Sequence, residues 1–250
     1  MTDRIDGRAL DELRPVKFTR GCSLYAEGSC FVEWGNTKVF CTASVEDKVP
    51  LFMRGRGTGW VSAEYGMLPR STQDRMQRDI SKGKPNARGT EIQRLIGRSL
   101  RAAVDMPKLG ENTIWIDCDV IQADGGTRTA SISAGFVALF DALRWLKNNG
   151  KTETIPLKEQ VAAVSAGKVA DVPMLDLCYA EDSTAEVDSN FVMTGRGDFI
   201  EVQGTGEGGI FSRKELDEII ALGWKGITEI QAKQRECLEL SPEEEKLFAK

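Results

Sequence analysis

The stretch ADGGTRTAS, Ala123 to Ser131, joins two runs of different character. Before it, TIWIDCDVIQA is apolar and reads as a strand. After it, SISAGFVALFDALRWLKNNG places Ile132, Phe136, Phe140 and Leu143 on one face and stops at Asn148-Asn149-Gly150, so it reads as an amphipathic helix. A strand that runs straight into a long helix is a βα unit, and such a unit buries its helix against a sheet. The chain therefore belongs among layered folds of mixed elements.

The remaining elements narrow that class. SCFVEWG and KVFCTASVE flank Asn36-Thr37 and read as a hairpin, and GWVSAEYGML reads as a second pair of strands. The basic stretch PRSTQDRMQRDISKGKPNARG has no period and reads as an exposed, mobile loop. Thr90 and Gln93 match a capping box that opens a helix, with Ile92, Leu95, Ile96 and Ala103 on one side and Arg94, Arg98 and Arg101 on the other. Strands follow in VAAVSAGKVA, PMLDLCYAEDS, FVMTG and DFIEVQG, then a helix from Ser212 through Leu222 and a last one from Thr228 to about Leu240. Hairpins ahead of crossovers favour an α+β fold, or a mixed-sheet α/β fold, over a fully parallel sheet. No repeat or linker divides the chain, so residues 1–250 are expected to form a single domain.

Composition decides which chemistry is open. The chain has no histidine, which removes Ser-His-Asp and Cys-His mechanisms and the HExxH zinc enzymes. Catalysis must rest on carboxylates, cationic side chains, backbone donors or a metal on oxygen ligands. Six cysteines, Cys22, Cys30, Cys41, Cys118, Cys178 and Cys237, are scattered with no CxxC pair and are expected to be free thiols. The charged N-terminus lacks the apolar core of a signal peptide, and no run approaches the roughly 18 apolar residues of a membrane span, so a cytoplasmic location without membrane contact is expected. The net charge of −5 hides an asymmetry: Arg54 to Lys108 holds twelve Lys/Arg against five Asp/Glu, or +7, which leaves −12 on the rest. A local basic surface on an acidic protein suits a localised anionic partner, although a solvated helix face would read the same way.

Helix N-termini expose unpaired N–H groups at the positive end of the helix dipole. In ADGGTRTAS the glycines permit close backbone approach, Thr127 adds a hydroxyl and Arg128 a fork suited to phosphate oxygens. The turn is thus a candidate phosphate site, and it would look no different if glycine served only the turn conformation. A rival pattern, QGTGEGG, matches GxGxxG at Gly204, Gly206 and Gly209, but leaves too little chain for the rest of a dinucleotide fold. No GxxxxGK[ST] occurs. In LDLCYAEDSTAEVDSN a buried strand from Leu175 to Tyr179 would present Glu181, Asp182, Glu186 and Asp188 in one short polar segment, where two carboxylates could share a hard cation such as Mg²⁺. An unaided acidic cluster of this kind also occurs as a solvated loop.

These motifs, in order, resemble the bacterial ribonuclease PH family over nearly the whole chain: RIDGRALDELRPV, AEGSCFVEWGNTKVFCTASVE, GWVSAEYGMLPRST, RGTEIQRLIGRSLRA, WIDCDVIQADGGTRTASI, DLCYAEDSTAEVDSNFVMT and EVQGTGEGGIFS. The resemblance implies a ribonuclease PH fold of duplicated βαβα halves packed into one domain. It implies a phosphorolytic 3′→5′ exoribonuclease and nucleotidyltransferase that trims tRNA precursors, releases nucleoside diphosphates and forms a homohexamer, a trimer of dimers. An inactive RNA-binding ring subunit of the same fold is the alternative. Carried onto this chain, phosphate binding falls on Gly126, Thr127 and Arg128, and substrate contact on Arg88. Catalysis and Mg²⁺ binding fall on Asp182 and Asp188, and tRNA gripping on Arg70, Arg75 and Arg78. Cys22 and Cys30 depart from the family pattern, and Asp117 stands where the family usually has glycine.

Overall fold

Gly35, in the left-handed region at φ +55°, turns the chain between strands β2 (Gly28–Trp34) and β3 (Thr37–Glu46), which pair antiparallel from Trp34↔Thr37 to Gly28↔Ala43. This is the hairpin expected from the sequence. The computed structural model describes residues 4–78, 81, 83 and 86–248. In it the hairpin is the centre of a five-stranded sheet ordered β1-β2-β3-β5-β4, with β1 at Val16–Arg20, β4 at Trp60–Met67 and β5 at Thr113–Gln122. Among the described residues only β4 and β5 run parallel, and helices α1 (Ala87–Ala102) and α2 (Met106–Leu109) make the crossover that parallel neighbours require. GWVSAEYGML is therefore one strand and not a pair, with Val61 and Ala63 alternating onto the buried face. Asp117 fits β5 without a break, opposite Thr42 on one side and Glu64 on the other.

Helix α3 (Thr127–Asn148) begins four residues before the expected start and is buried without interruption from Thr129 to Phe140. It packs on β2, β3 and β5 through one side and on β6 (Val161–Val169) and helix α5 (Arg213–Leu238) through the other. A helix with partners on opposite sides needs apolar residues all round, so the single amphipathic face was too narrow a reading. β6 belongs to a second, antiparallel sheet ordered β7-β6-β8-β9, with β7 at Val172–Leu175, β8 at Val187–Thr194 and β9 at Phe199–Thr205. One continuous core joins both sheets around α3, from Val16 on β1 to Leu238 on α5.

Three further boundaries differ from expectation. Helix α1 starts at Ala87, where the Asn86 side chain accepts from the Arg88 N–H, and Thr90 lies inside the first turn with its hydroxyl on the Asn86 carbonyl. Asn outcompetes a later Thr because it caps one turn sooner and leaves Ile92, Leu95 and Ile96 in the core. The two last helices are one, α5: Gly223 and Gly226 do not stop it but bring its backbone close to the second sheet. An added Cβ would stand 2.6 Å from Phe191 and 2.8 Å from Leu175. Ser212 does open this helix, in a capping box with Glu215, and a short α6 follows at Pro242–Phe248. In PMLDLCYAEDS only the first residues are strand. Asp176 then takes a left-handed φ of +54° and Tyr179–Asp182 form a helical turn, α4.

The basic stretch is exposed at Arg70, Arg75 and Arg78; residues 79, 80, 82, 84 and 85 of it lie outside the described residues. All six cysteines are free thiols, with Cys30, Cys41 and Cys118 buried on three adjacent strands. No helix among the described residues is long and apolar enough to cross a membrane.

Candidate active site

The junction between β5 and α3 uses both of its glycines. Gly125 and Gly126 have φ of +76° and +66°, where a side chain is strained, and a Cβ on Gly125 would stand 2.6 Å from the Leu177 carbonyl oxygen. The turn thus rests directly on the segment that leads into α4. Gly126 is the N-cap of α3, and among the described residues no side chain caps it, which leaves the N–H groups of the first turn without a side-chain acceptor at the positive end of the helix. Thr127 shares a 2.9 Å hydrogen bond with the Tyr65 hydroxyl, and Arg128 Nη1 donates to Gln203 Oε1 at 3.1 Å.

A polar frame, buried at Arg14, Thr37 and Asp176, holds this turn. The Asp124 N–H donates to Thr37 Oγ1 at 3.0 Å, and Thr37 Oγ1 in turn donates to the Gly125 carbonyl at 2.7 Å. The Asp124 carboxylate accepts from Asn36 Nδ2 and from the Tyr179 N–H, the first residue of α4, while Arg14 Nη1 donates to the Asp124 carbonyl. Arg14 is itself gripped by Asp176, which is 1% exposed and accepts from Arg14 Nη2 at 2.6 Å and from Trp34 Nε1 at 2.9 Å. Burial alone would raise the Asp176 carboxyl, but the Arg14 charge and these donors hold it below its ordinary value.

Asp182 ends α4, and Asp188 is the second residue of β8. Of the four carboxylates expected to face a cation, Glu181 does not: it turns inward and accepts from Arg4 Nη2 at 2.6 Å and Nε at 2.8 Å. The expected strand from Leu175 to Tyr179 would have pointed it outward; the helical turn points it into the core. Burial, then the charge of Asp182, pushes the Asp188 carboxyl up to about 6. Burial, then Glu207, raises Asp182, against the pull of Arg128 and Arg88. Among the described residues neither Asp182 nor Asp188 has an ion-pair partner, and no group of three or more acidic or sulfur side chains is arranged around a common point.

The structure therefore brings together Gly126, Thr127, Arg128, Asp182 and Asp188, and places Arg88 at the exposed start of α1, where its charge reaches Asp182 and Tyr65. Among the described residues Arg70, Arg75 and Arg78 make no hydrogen bond or ion pair to these side chains. They are exposed, and the charge of Arg78 acts on Asp119. Their segment nevertheless springs from the edge of the site, tied by Leu68 N–H to Val120 and by Ala123 N–H to Ser71. The GxGxxG pattern is not a dinucleotide loop: β9 is an antiparallel edge strand, and a Cβ on Gly206 would stand 2.1 Å from the Gly209 carbonyl, so the loop is folded on itself. Sequence reasoning missed Arg14, Thr37, Tyr65, Asp176 and Gln203. Asp124 alone carried a local signal, an acidic residue ahead of a glycine turn.

Comparison with known proteins gives one answer. The first domain of the 3′ exoribonuclease family matches residues 12–144, and its second domain matches residues 159–226. A protein called Ribonuclease PH from Syntrophomonas wolfei subsp. wolfei is 56% identical over 236 residues, which cover 94% of this chain and 99% of that protein. Two solved structures share the fold: rice (Oryza sativa) Rrp46, with a TM-score of 0.76 at 21% identity, covering 94% of this chain and 100% of that one, and the Archaeoglobus fulgidus exosome with RNA bound to the active site, with 0.78 at 22%, covering 93% and 92%. With both family domains matched in order and a relative of this identity over nearly its full length, the chain belongs to the 3′ exoribonuclease family, within its ribonuclease PH branch.

Proposed function

We propose that the uncapped start of α3 seats inorganic phosphate in the reaction of a tRNA-trimming, hexameric, cytoplasmic ribonuclease. The chain is a phosphate-dependent 3′→5′ exoribonuclease and nucleotidyltransferase. The observation that carries the site is the pairing of a helix N-terminus without a side-chain cap, bearing Thr127 and Arg128, with two carboxylates that feel the Arg128 charge, Asp182 and Asp188. In the proposed mechanism a phosphate oxygen held by the first-turn N–H groups of α3, Thr127 and Arg128 attacks the last phosphodiester of the RNA. The phosphorus–O3′ bond breaks, a nucleoside diphosphate leaves, and the shortened RNA keeps its 3′ oxygen, which takes up a proton. Arg88 neutralises the RNA phosphate, and Asp182, whose carboxyl burial raises, delivers that proton when it is in the acid form.

Asp182 and Asp188 suit Mg²⁺: both are hard oxygen donors, and their mutual repulsion, visible in the raised Asp188, is what a divalent cation relieves. When bound there it would supply positive charge against the oxygens of the reacting phosphates. Two protein ligands leave the remaining positions to water and substrate, as Mg²⁺ prefers. Arg70, Arg75 and Arg78, exposed at the rim, would grip the tRNA body, and free thiols fit a reducing cytoplasm. The same fold could serve as an inactive RNA-binding ring subunit, but the intact set of Arg88, Thr127, Arg128, Asp182 and Asp188 favours catalysis.

Arg128→Ala tests the assignment. It should fold normally and lose about 100- to 1,000-fold in kcat/KM for phosphate in nucleoside diphosphate release. Near-normal turnover at low phosphate would remove Arg128 from the site.

A further inference from the structure

Arg128 has five N–H donors on a flexible stem, and a side chain of this kind serves catalysis only if something fixes it before the substrate arrives. Among the described residues its one side-chain partner is Gln203, whose Oε1 accepts from Nη1 at 3.1 Å across 75 residues of sequence. Gln203 lies on β9, opposite Asn190 on β8, and Asn190 Nδ2 points at Asp188 Oδ2, 3.5 Å away. The same pair of strands thus carries the carboxylate and the acceptor that meets Arg128. Two residues earlier on the same face of β9, Glu201 takes Arg98 in a 2.7 Å ion pair. The contrast is chemical: a carboxylate neutralises the arginine outside the turn, while an amide oxygen holds the arginine inside it and leaves its charge intact.

We infer that Gln203 is a positioning residue, which orients the Arg128 guanidinium toward the attacking phosphate without neutralising it. This rests on the phosphate reading of the α3 N-terminus. It also gives the QGTGEGG segment a role: its first residue aims the arginine, and the tight glycine loop after it lets β9 end at the site rather than run past it.

The test uses the full-length protein, inorganic phosphate and an RNA with a single-stranded 3′ tail. Gln203→Ala and Gln203→Met should each raise KM for phosphate about tenfold. The kcat at saturating phosphate, RNA affinity without phosphate and thermal unfolding should all stay near wild type. Gln203→Met keeps the volume and loses the amide, its acceptor included, so a normal KM in that variant would show packing, not orientation, and overturn the inference. Placed in an Arg128→Ala background, Gln203→Ala should have no further effect on kcat/KM for phosphate. A full additional loss there would also overturn it. If Arg128→Ala alone leaves kcat/KM for phosphate unchanged, the phosphate reading fails, and Gln203 loses its role with it.

Discussion

At Asp188 burial and the charge of Asp182 act in the same direction, which places its carboxyl at about 6 instead of 3.8. The folded chain therefore binds this proton more tightly than the unfolded chain. Stability from Asp188 is complete below about pH 4 and is lost as pH rises through 6, so at pH 8 the ionised group opposes folding. Asp188→Asn should raise stability by about 1–3 kcal/mol at pH 8 and change little near pH 4. Denaturant midpoints of the cation-free protein at the two pH values check this, and a variant less stable than wild type at pH 8 would contradict it. At this scale the sequence showed which residues were candidates, in that the glycines, Thr127, Arg128, Asp182 and Asp188 lie in two short segments. It could not show Tyr65 or Gln203, which reach Thr127 and Arg128 across 62 and 75 residues through pairings no local pattern encodes. Nor could it separate Glu181 from its neighbours, because the partner that Glu181 turns to, the buried Arg4, lies 177 residues away in the chain.

Elements were legible where local periodicity and packing agreed. The β2–β3 hairpin and the β5–α3 junction follow from alternation and turn chemistry, and the structure keeps both. Where a helix meets sheet on more than one side, or a glycine serves contact rather than a turn, the pattern misleads, as in α3 and α5. Gly28 on β2 is the sharpest case of glycine as contact. A Cβ there would lie 2.0 Å from the Ala138 carbonyl and 2.9 Å from the Ala142 nitrogen of α3, both backbone atoms that cannot step aside. Gly28→Ala should cost about 3 kcal/mol or more by prising β2 from α3. Gly195→Ala, whose Cβ would meet only Gln160 at 3.6 Å, should stay within about 1 kcal/mol. Unfolding of the two variants side by side measures this, and equal stability would show that α3 has room to move.

Across the whole molecule, two sheets share one helix, and the site forms where that helix begins. The five-stranded sheet delivers the glycine turn proposed to hold phosphate, and the four-stranded sheet delivers Asp188 and Gln203, so the proposed site draws on both sheets. The excess of positive charge between Arg54 and Lys108 lies partly on exposed Arg54, Arg56, Arg70, Arg75 and Arg78, a surface suited to the RNA backbone. The family could be recognised in the motifs and in their order, whereas the frame of Arg14, Asp124 and Asp176 that joins the halves appears only once the chain is folded. The central claim is that the turn at Gly126 holds the nucleophile and that this nucleophile is phosphate. The measurement that bears on it most directly is the product released from a tRNA with a 3′ extension, with and without inorganic phosphate. The account predicts nucleoside diphosphates that appear only with phosphate; nucleoside monophosphates, released at the same rate without it, would contradict it.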